Sequence, residues 1–159
     1  MKPPASLLVS LAVPAALIAS MVPYAWTARG TDADQRAKGG QFMGGAGGFV
    51  LDWFMWVIEP LTRGSLRLGL TPDFYNYLGL ALGVAGGAFS AMGRLEWGGW
   101  SIALCGVADI LDGRIARQTG VASNYGDFID STFDRFVEVA VFLGFAVFLR
   151  HDPYGPHLA

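Results

Sequence analysis

Apolar residues gather into long runs with few interruptions, and the charged residues inside those runs stand at helical intervals. Residues 5–26 hold no charge, and residues 74–93 form a second uncharged run. Residues 97–108 stay apolar until Asp109, Asp112 and Arg114, and residues 128–149 are apolar apart from Asp130, Asp134, Arg135 and Glu138. A membrane-crossing helix needs about 20 mostly apolar residues. The pattern therefore predicts an all-α integral-membrane bundle of about four spanning helices, the last two with carboxylates at their ends. The first span, 1–27, reads as an anchor. Lys2 before an apolar run also suits a signal peptide. The run is long, however, Pro14 and Pro23 interrupt it, and no clean small-x-small cleavage site follows, so a retained anchor is the favoured reading.

Between the first two runs the pattern changes. Residues 28–48 are glycine-rich at their end (Gly39, Gly40, Gly44, Gly45, Gly47, Gly48) and lack the Lys-Ser/Thr that a phosphate-cradling loop places after its glycines, so they read as a flexible linker. Residues 49–70 mix Trp53, Phe54, Trp56, Ile58 and Leu61 with Asp52, Glu59, Arg63 and Arg67, a composition that suits an amphipathic helix lying in a membrane interface, or equally one packed on the protein. Residues 71–150 would then form a core of three helices, at about 74–93, 97–118 and 124–149. Residues 151–159 read as a loop, since Pro153, Gly155 and Pro156 break helix. Gly79, Gly83 and Gly87 repeat the Gly-x-x-x-Gly interval that lets helices approach closely.

Composition supports the membrane reading. The 159 residues are 53% hydrophobic and 15% charged, against a usual charged share of roughly 25%. A net charge of -2 with no basic stretch speaks against nucleic acid. Cys105 is the single cysteine, and His151 and His157 are the only histidines, so metal chemistry would rest on oxygen ligands. If the first helix runs inward, Arg29, Arg36, Lys38, Arg63, Arg67, Arg114 and Arg117 fall on the cytoplasmic side and Lys2, Arg94 and Arg150 outside, in keeping with the positive-inside rule. The loop near residues 114–127 and the carboxylates beside it would then face the cytoplasm.

The chemistry concentrates in those carboxylates. Asp109 and Asp112 stand at i, i+3, and Asp130 and Asp134 at i, i+4. At about 100° per helical residue, Asp109, Asp112, Gly113, Ala116 and Arg117 share one face, while Gly126, Asp130 and Asp134 form a stripe on the next helix, with Glu138 one turn deeper. A short turn would make the two helices antiparallel neighbours with their stripes facing. Carboxylates that close repel unless a cation lies between them, and Mg²⁺ or Mn²⁺ takes such oxygen ligands. Gly113, Ala116 and Gly126 leave room for a bulky ligand, and Arg117 can pair with phosphate.

These residues, Asp109-x-x-Asp112-Gly113-x-x-Ala116-Arg117, then eight residues, then Gly126-x-x-x-Asp130-x-x-x-Asp134, resemble the signature of the CDP-alcohol phosphatidyltransferases at every defined position. The resemblance implies an enzyme of phospholipid biosynthesis in a bacterial-type cytoplasmic membrane. It would transfer a phosphatidyl-type group from a CDP-alcohol, usually CDP-diacylglycerol, to an acceptor alcohol and release CMP. By resemblance, Asp109, Asp112, Asp130 and Asp134 hold two divalent cations, Mg²⁺ or Mn²⁺. Asp134 matches the general base, and Gly113, Ala116, Arg117, Ser123 and Gly126 match the part of the site that receives the CDP moiety. Pro72, Asp73 and Asn76 stand where many members carry Pro-Asn-x-x-Thr. The resemblance implies a core of six helices, of which three are expected here, so a lipid pocket closed by later helices is expected to be incomplete and the chain alone nearly inactive. A homodimer is one way to supply missing walls. The rival readings are an inactive membrane fragment acting as an interaction protein, and an acidic ion pathway in a transporter. The acceptor alcohol is left open.

Overall fold

The computed structural model describes residues 5–27 and 45–151, and every element among them is an α-helix. The chain divides into two compact units, Met1–Pro60 and Leu61–Ala159.

In the first unit, α1 (Ala5–Ala19) and α2 (Met21–Thr27) replace the single helix expected over residues 5–26. Pro23 has no N–H to offer the carbonyl of Ala19, and the helical ladder fails at that point. Ser20 occupies the break. Its N–H donates to the Ala16 carbonyl at 2.9 Å, its hydroxyl donates to Leu17 O at 2.6 Å, and its oxygen accepts the indole N–H of Trp53 at 3.0 Å. Tyr24 is buried with its ring centroid 5.4 Å from Phe49 and 5.8 Å from Trp56. Phe49, Trp53 and Trp56 belong to α3 (Gly45–Arg67). This helix begins before residue 49, inside the expected glycine-rich linker, and stops before residue 70. Linker residues 28–44 and tail residues 152–159 lie outside the described residues.

The second unit starts in the last turns of α3. Gly69, at φ 67°, closes that helix: its N–H reaches Leu66 O at 3.2 Å and the next N–H, of Leu70, reaches Ser65 O at 3.0 Å. Thr71 then caps α4 (Pro72–Ala91), accepting the N–H of Phe74 at 3.3 Å, with Pro72 in the first helical position, where its missing N–H costs nothing. A left-handed Gly93 turns the chain into α5 (Leu95–Thr119), and α6 (Asn124–His151) follows.

The helix α4 is the centre of this unit. Both α5 and α6 pack along it and make few backbone contacts with each other, whereas the sequence suggested that those two helices are direct neighbours. Glycine makes the arrangement possible. A Cβ at Gly79 would meet Ala108 of α5 at 3.7 Å, and one at Gly86 would lie 2.7 Å from Ile102 of the same helix. A Cβ at Gly83 would lie 2.5 Å from Val137 of α6, and one at Gly87 would run into the backbone of Ala140. The expected Gly79, Gly83, Gly87 ladder is therefore split between two partners, because residues four apart drift by about 40° around a helix.

No helix among the described residues is long and apolar enough to cross a membrane, against the four spans expected. The cause differs by helix. Pro23 divides the first run, glycines lower the apolar content of α4, and charged side chains lie within α5 (Asp109, Asp112, Arg114, Arg117) and α6 (Asp127, Asp130, Asp134, Arg135, Glu138).

Candidate active site

Helix ends build the site. Gly120, at φ 71°, terminates α5 in the left-handed conformation, and its N–H and that of Val121 both turn back to the carbonyl of Ala116. Ser123 starts α6. Its hydroxyl oxygen accepts the N–H of Gly126 at 3.1 Å and its carbonyl accepts that of Asp127 at 3.0 Å. The connection is thus short and closed at both ends, and α5 and α6 diverge from it along the two sides of α4.

Two openings lie between the three helices. The larger, about 550 Å³, is lined by Gly113, Ala116 and Thr119 of α5, by Val121, Ala122 and Ser123 of the turn, and by Tyr125, Gly126 and Asp127 of α6. Its remaining wall is the α3–α4 connection, Gly69 to Asp73, with Leu66 and Asn76. The smaller is a cleft of about 20 Å³ holding Asp109, Asp134, Cys105, Tyr75, Gly79 and Phe133. Asp112, Asp130 and Asn76 border both.

Three of the four expected metal-binding carboxylates converge. Asp109, Asp112 and Asp130 each place one oxygen within 4.8 Å of the other two. Asp112 is 6% exposed, while Asp109 is open to solvent. Among the described residues, no Lys or Arg lines either opening. At an effective dielectric constant of about 20, two carboxylates at that separation repel by roughly 3–4 kcal/mol. The donor set fits a hard divalent cation. Asp109, Asp112 and Asp130 offer oxygen ligands alone, the donor type that Mg²⁺ and Mn²⁺ take.

The other expected residues divide between the openings. Asp134 lies in the narrow cleft, exposed and outside the three-oxygen group. Gly113, Ala116, Ser123 and Gly126 line the larger cavity. Arg117 is not a wall of it. Its guanidinium lies over Gly113, with Nη1 3.4 Å from where a Cβ would stand. Glu138, expected on the acidic stripe, is instead ion-paired with Arg135 on the exposed side of α6. Thr71, Thr119, Tyr125, Asp127 and Cys105 also line the openings, and the spacing of the acidic motif does not point to them. Thr71 was accessible from the Thr-Pro-Asp helix-start pattern; the others needed the fold.

A model of the CDP-alcohol phosphatidyltransferase family matches residues 70–154, more than half of the chain and every carboxylate of this site. The chain belongs to that family. Its relatives include the phosphatidylinositol phosphate synthase of Streptomyces avermitilis, 41% identical over 97 residues, covering 60% of this chain and 39% of the relative. The synthase of the same name from Mycobacterium tuberculosis is 39% identical over 92 residues, covering 57% of this chain and 42% of the relative. A crystal structure of that mycobacterial synthase, in complex with manganese and citrate, matches with a TM-score of 0.56 and 37% identity over 61% of this chain and 47% of its own. The chain spans about two fifths of the length of the curated relatives it matches. The residues matched within the phosphatidyltransferase family carry the acidic cluster and most of the cavity beside it.

Proposed function

We propose that this chain forms the metal- and nucleotide-binding part of a CDP-alcohol phosphatidyltransferase that works on CDP-diacylglycerol, with inositol phosphate as acceptor. The observation that carries the reading is the shared wall: Asp112 and Asp130 border both the larger cavity and the acidic cleft. A diphosphate seated there would touch the cation site from one side while its nucleoside filled the cavity. The acceptor is drawn from relatives named phosphatidylinositol phosphate synthase.

Asp109, Asp112 and Asp130 would hold the divalent ions, with Asp134 completing the set. Bound there, the cations would neutralise the diphosphate and favour an in-line displacement. The chain's own groups supply the rest. Ser123 uses its oxygen to cap α6, which leaves its hydroxyl proton to donate to a phosphate oxygen. Arg117 offers a planar fork of N–H donors over Gly113. Asp134 takes the proton from the acceptor hydroxyl as its oxygen bonds to the phosphatidyl phosphorus, and the phosphorus–oxygen bond to CMP breaks.

The proposed setting is a membrane with the site at the cytoplasmic face. Phe136, Val139, Phe142 and Leu143 stand largely exposed along α6. Side chains of that kind each favour an apolar environment by roughly 1.5–3 kcal/mol. Proposed domain limits remain an N-terminal anchor, an interfacial helix and the phosphatidyltransferase core.

The test is CMP release from CDP-diacylglycerol in Mn²⁺, with inositol phosphate compared against inositol, glycerol phosphate and serine. In an enzyme with the complete six-helix core, Asp134→Asn should retain CDP-diacylglycerol binding and lose about a hundred- to ten-thousandfold in turnover. A protein that binds Mn²⁺ but no CDP-alcohol sinks the proposal; preference for another alcohol corrects the acceptor alone.

A further inference from the structure

The larger cavity owes one wall to the connection between α3 and α4, and a buried pair of hydroxyls holds that connection. Ser65, in the last turns of α3, is 5% exposed, and Tyr75, in the first turn of α4, is 7% exposed. Their hydroxyl groups are hydrogen-bonded to each other. The direction is fixed by what else Ser65 does. Its O–H donates to the carbonyl of Leu61 at 2.7 Å, so its oxygen accepts and the phenol of Tyr75 donates. The backbone carbonyl of the same Ser65 accepts the N–H of Leu70 at 3.0 Å. One residue thus grips the connection at its middle, through its carbonyl, and beyond its end, through its hydroxyl.

The connection has little else to hold it. Gly69 is at positive φ with nothing within 4 Å of a Cβ position, so no neighbour packs on it there. Thr71 is exposed, and its hydroxyl accepts the N–H of Phe74 within its own helix start. Yet Gly69, Leu70, Thr71 and Pro72 all face the larger cavity, and Asn76, adjacent to Tyr75, borders both cavity and cleft.

We propose that Ser65 and Tyr75 are a positioning pair for the nucleotide cavity: the hydrogen bond between their hydroxyls sets where the α3–α4 connection and Asn76 stand, and through them how tightly the CDP moiety is held. Neither residue touches the ligand in this proposal. It rests on the nucleotide reading given above, and it separates nucleotide affinity from metal affinity: the Tyr75 ring borders the acidic cleft, but its hydroxyl is bonded to Ser65 of α3, and the three carboxylates that would hold the metal are carried on α5 and α6.

The two hydroxyls are not equivalent. Tyr75→Phe leaves Ser65 still bonded to Leu61, so the fold keeps its satisfied groups. Ser65→Ala leaves the Tyr75 hydroxyl buried without its acceptor, a more damaging change. Ser65→Thr restores a hydroxyl at the same place. The experiment follows amide hydrogen exchange at Leu68–Asp73, together with Mn²⁺ affinity and CDP-diacylglycerol affinity in detergent micelles, for the protein and these three variants. In Tyr75→Phe, exchange at Leu70 should rise while the middle of α4, α5 and α6 is unaltered. The Kd for CDP-diacylglycerol should rise about fivefold, the loss expected of one net hydrogen bond. Mn²⁺ affinity should be unchanged, and Ser65→Thr should behave like the parent. Unaltered exchange at Leu70 in Tyr75→Phe overturns the proposal. So does faster exchange with unchanged CDP-diacylglycerol affinity, or an equal loss of both affinities. If the parent protein binds Mn²⁺ but no CDP-diacylglycerol, the nucleotide reading fails, and the proposed control of CDP affinity fails with it.

Discussion

The backbone of Gly144 in α6 lies directly against the backbone of Gly87 in α4, so that a Cβ on Gly144 would collide with the carbonyl group of Gly87. A Cβ on Gly87 would in turn collide with the carbonyl of Ala140. The obstacles are main-chain atoms, which cannot rotate away. Gly87→Ala and Gly144→Ala should each destabilise the second unit by roughly 1–3 kcal/mol or more, overriding the gain of up to about 1 kcal/mol that alanine brings to a helix. Thermal unfolding measured in detergent checks this, and an unchanged or raised midpoint would show that α4 and α6 can separate at no cost.

Gly113 should behave in the opposite way. A methyl group there meets only the guanidinium of Arg117, at ordinary contact distances of 3.4–3.5 Å. Gly113→Ala is expected to keep or raise stability by up to about 1 kcal/mol. It should nevertheless weaken CDP-diacylglycerol binding, since the added carbon occupies space at the cavity wall. Stability and affinity that fall together would mean that Gly113 serves packing instead.

The acidic group should be the seat of metal binding. The double substitution Asp109→Asn, Asp130→Asn removes two of the three converging oxygens' charges. Losing groups one shell further out commonly costs about 10–100-fold in metal affinity, so the loss here should be at least that large by calorimetric titration with Mn²⁺. Unchanged affinity would place the ion elsewhere.

Ser123 carries two duties that substitution can separate. Ser123→Asp keeps an acceptor for the Gly126 N–H and should preserve stability, while its negative charge opposes a diphosphate in the cavity. Ser123→Ala should lose about 1 kcal/mol of stability along with affinity. Equal nucleotide affinity in Ser123→Asp and the parent protein would remove Ser123 from the binding site.

Arg117→Lys replaces a planar fork with a single ammonium. The expected result is about a tenfold loss of CDP-diacylglycerol affinity, consistent with one charge-assisted hydrogen bond, with stability unaffected because the side chain is exposed. Matching binding isotherms for the two proteins would rule out a phosphate contact by Arg117.

The acidic site was legible in the sequence because its information is local. The i, i+3 and i, i+4 intervals of Asp109, Asp112, Asp130 and Asp134 fix a helical face whatever the surroundings, and small residues beside them mark open space. What depended on long-range packing was not legible. Nothing near Asp109 or Asp130 announces that α4 fills the angle between their helices, since that follows from which glycine meets which partner: Gly79 against Ala108, Gly83 against Val137. Glu138 shares the periodicity of the acidic stripe, yet Arg135, three residues before it, offers a nearer partner. The interruption at Pro23 is visible in the sequence, but proline is also tolerated within a helix, as Pro14 is in α1, so the division at Ser20 needed the structure. Tyr75 looks like one more aromatic in a run, and only its contact with Ser65 gives it a task.

Between the left-handed Gly120 that ends α5 and the Ser123 cap that starts α6 stand only Val121 and Ala122. Such a connection acts as a gauge of length. One extra uncharged residue carried into α6 would rotate the helix by about 100° relative to its cap, sending Asp130 away from Asp109 while leaving the net charge and every existing side chain intact. The fixed interval of eight residues between Arg117 and Gly126 is therefore a mechanical dimension of the site. Surface loops elsewhere commonly absorb insertions; this one transmits them straight to the carboxylates.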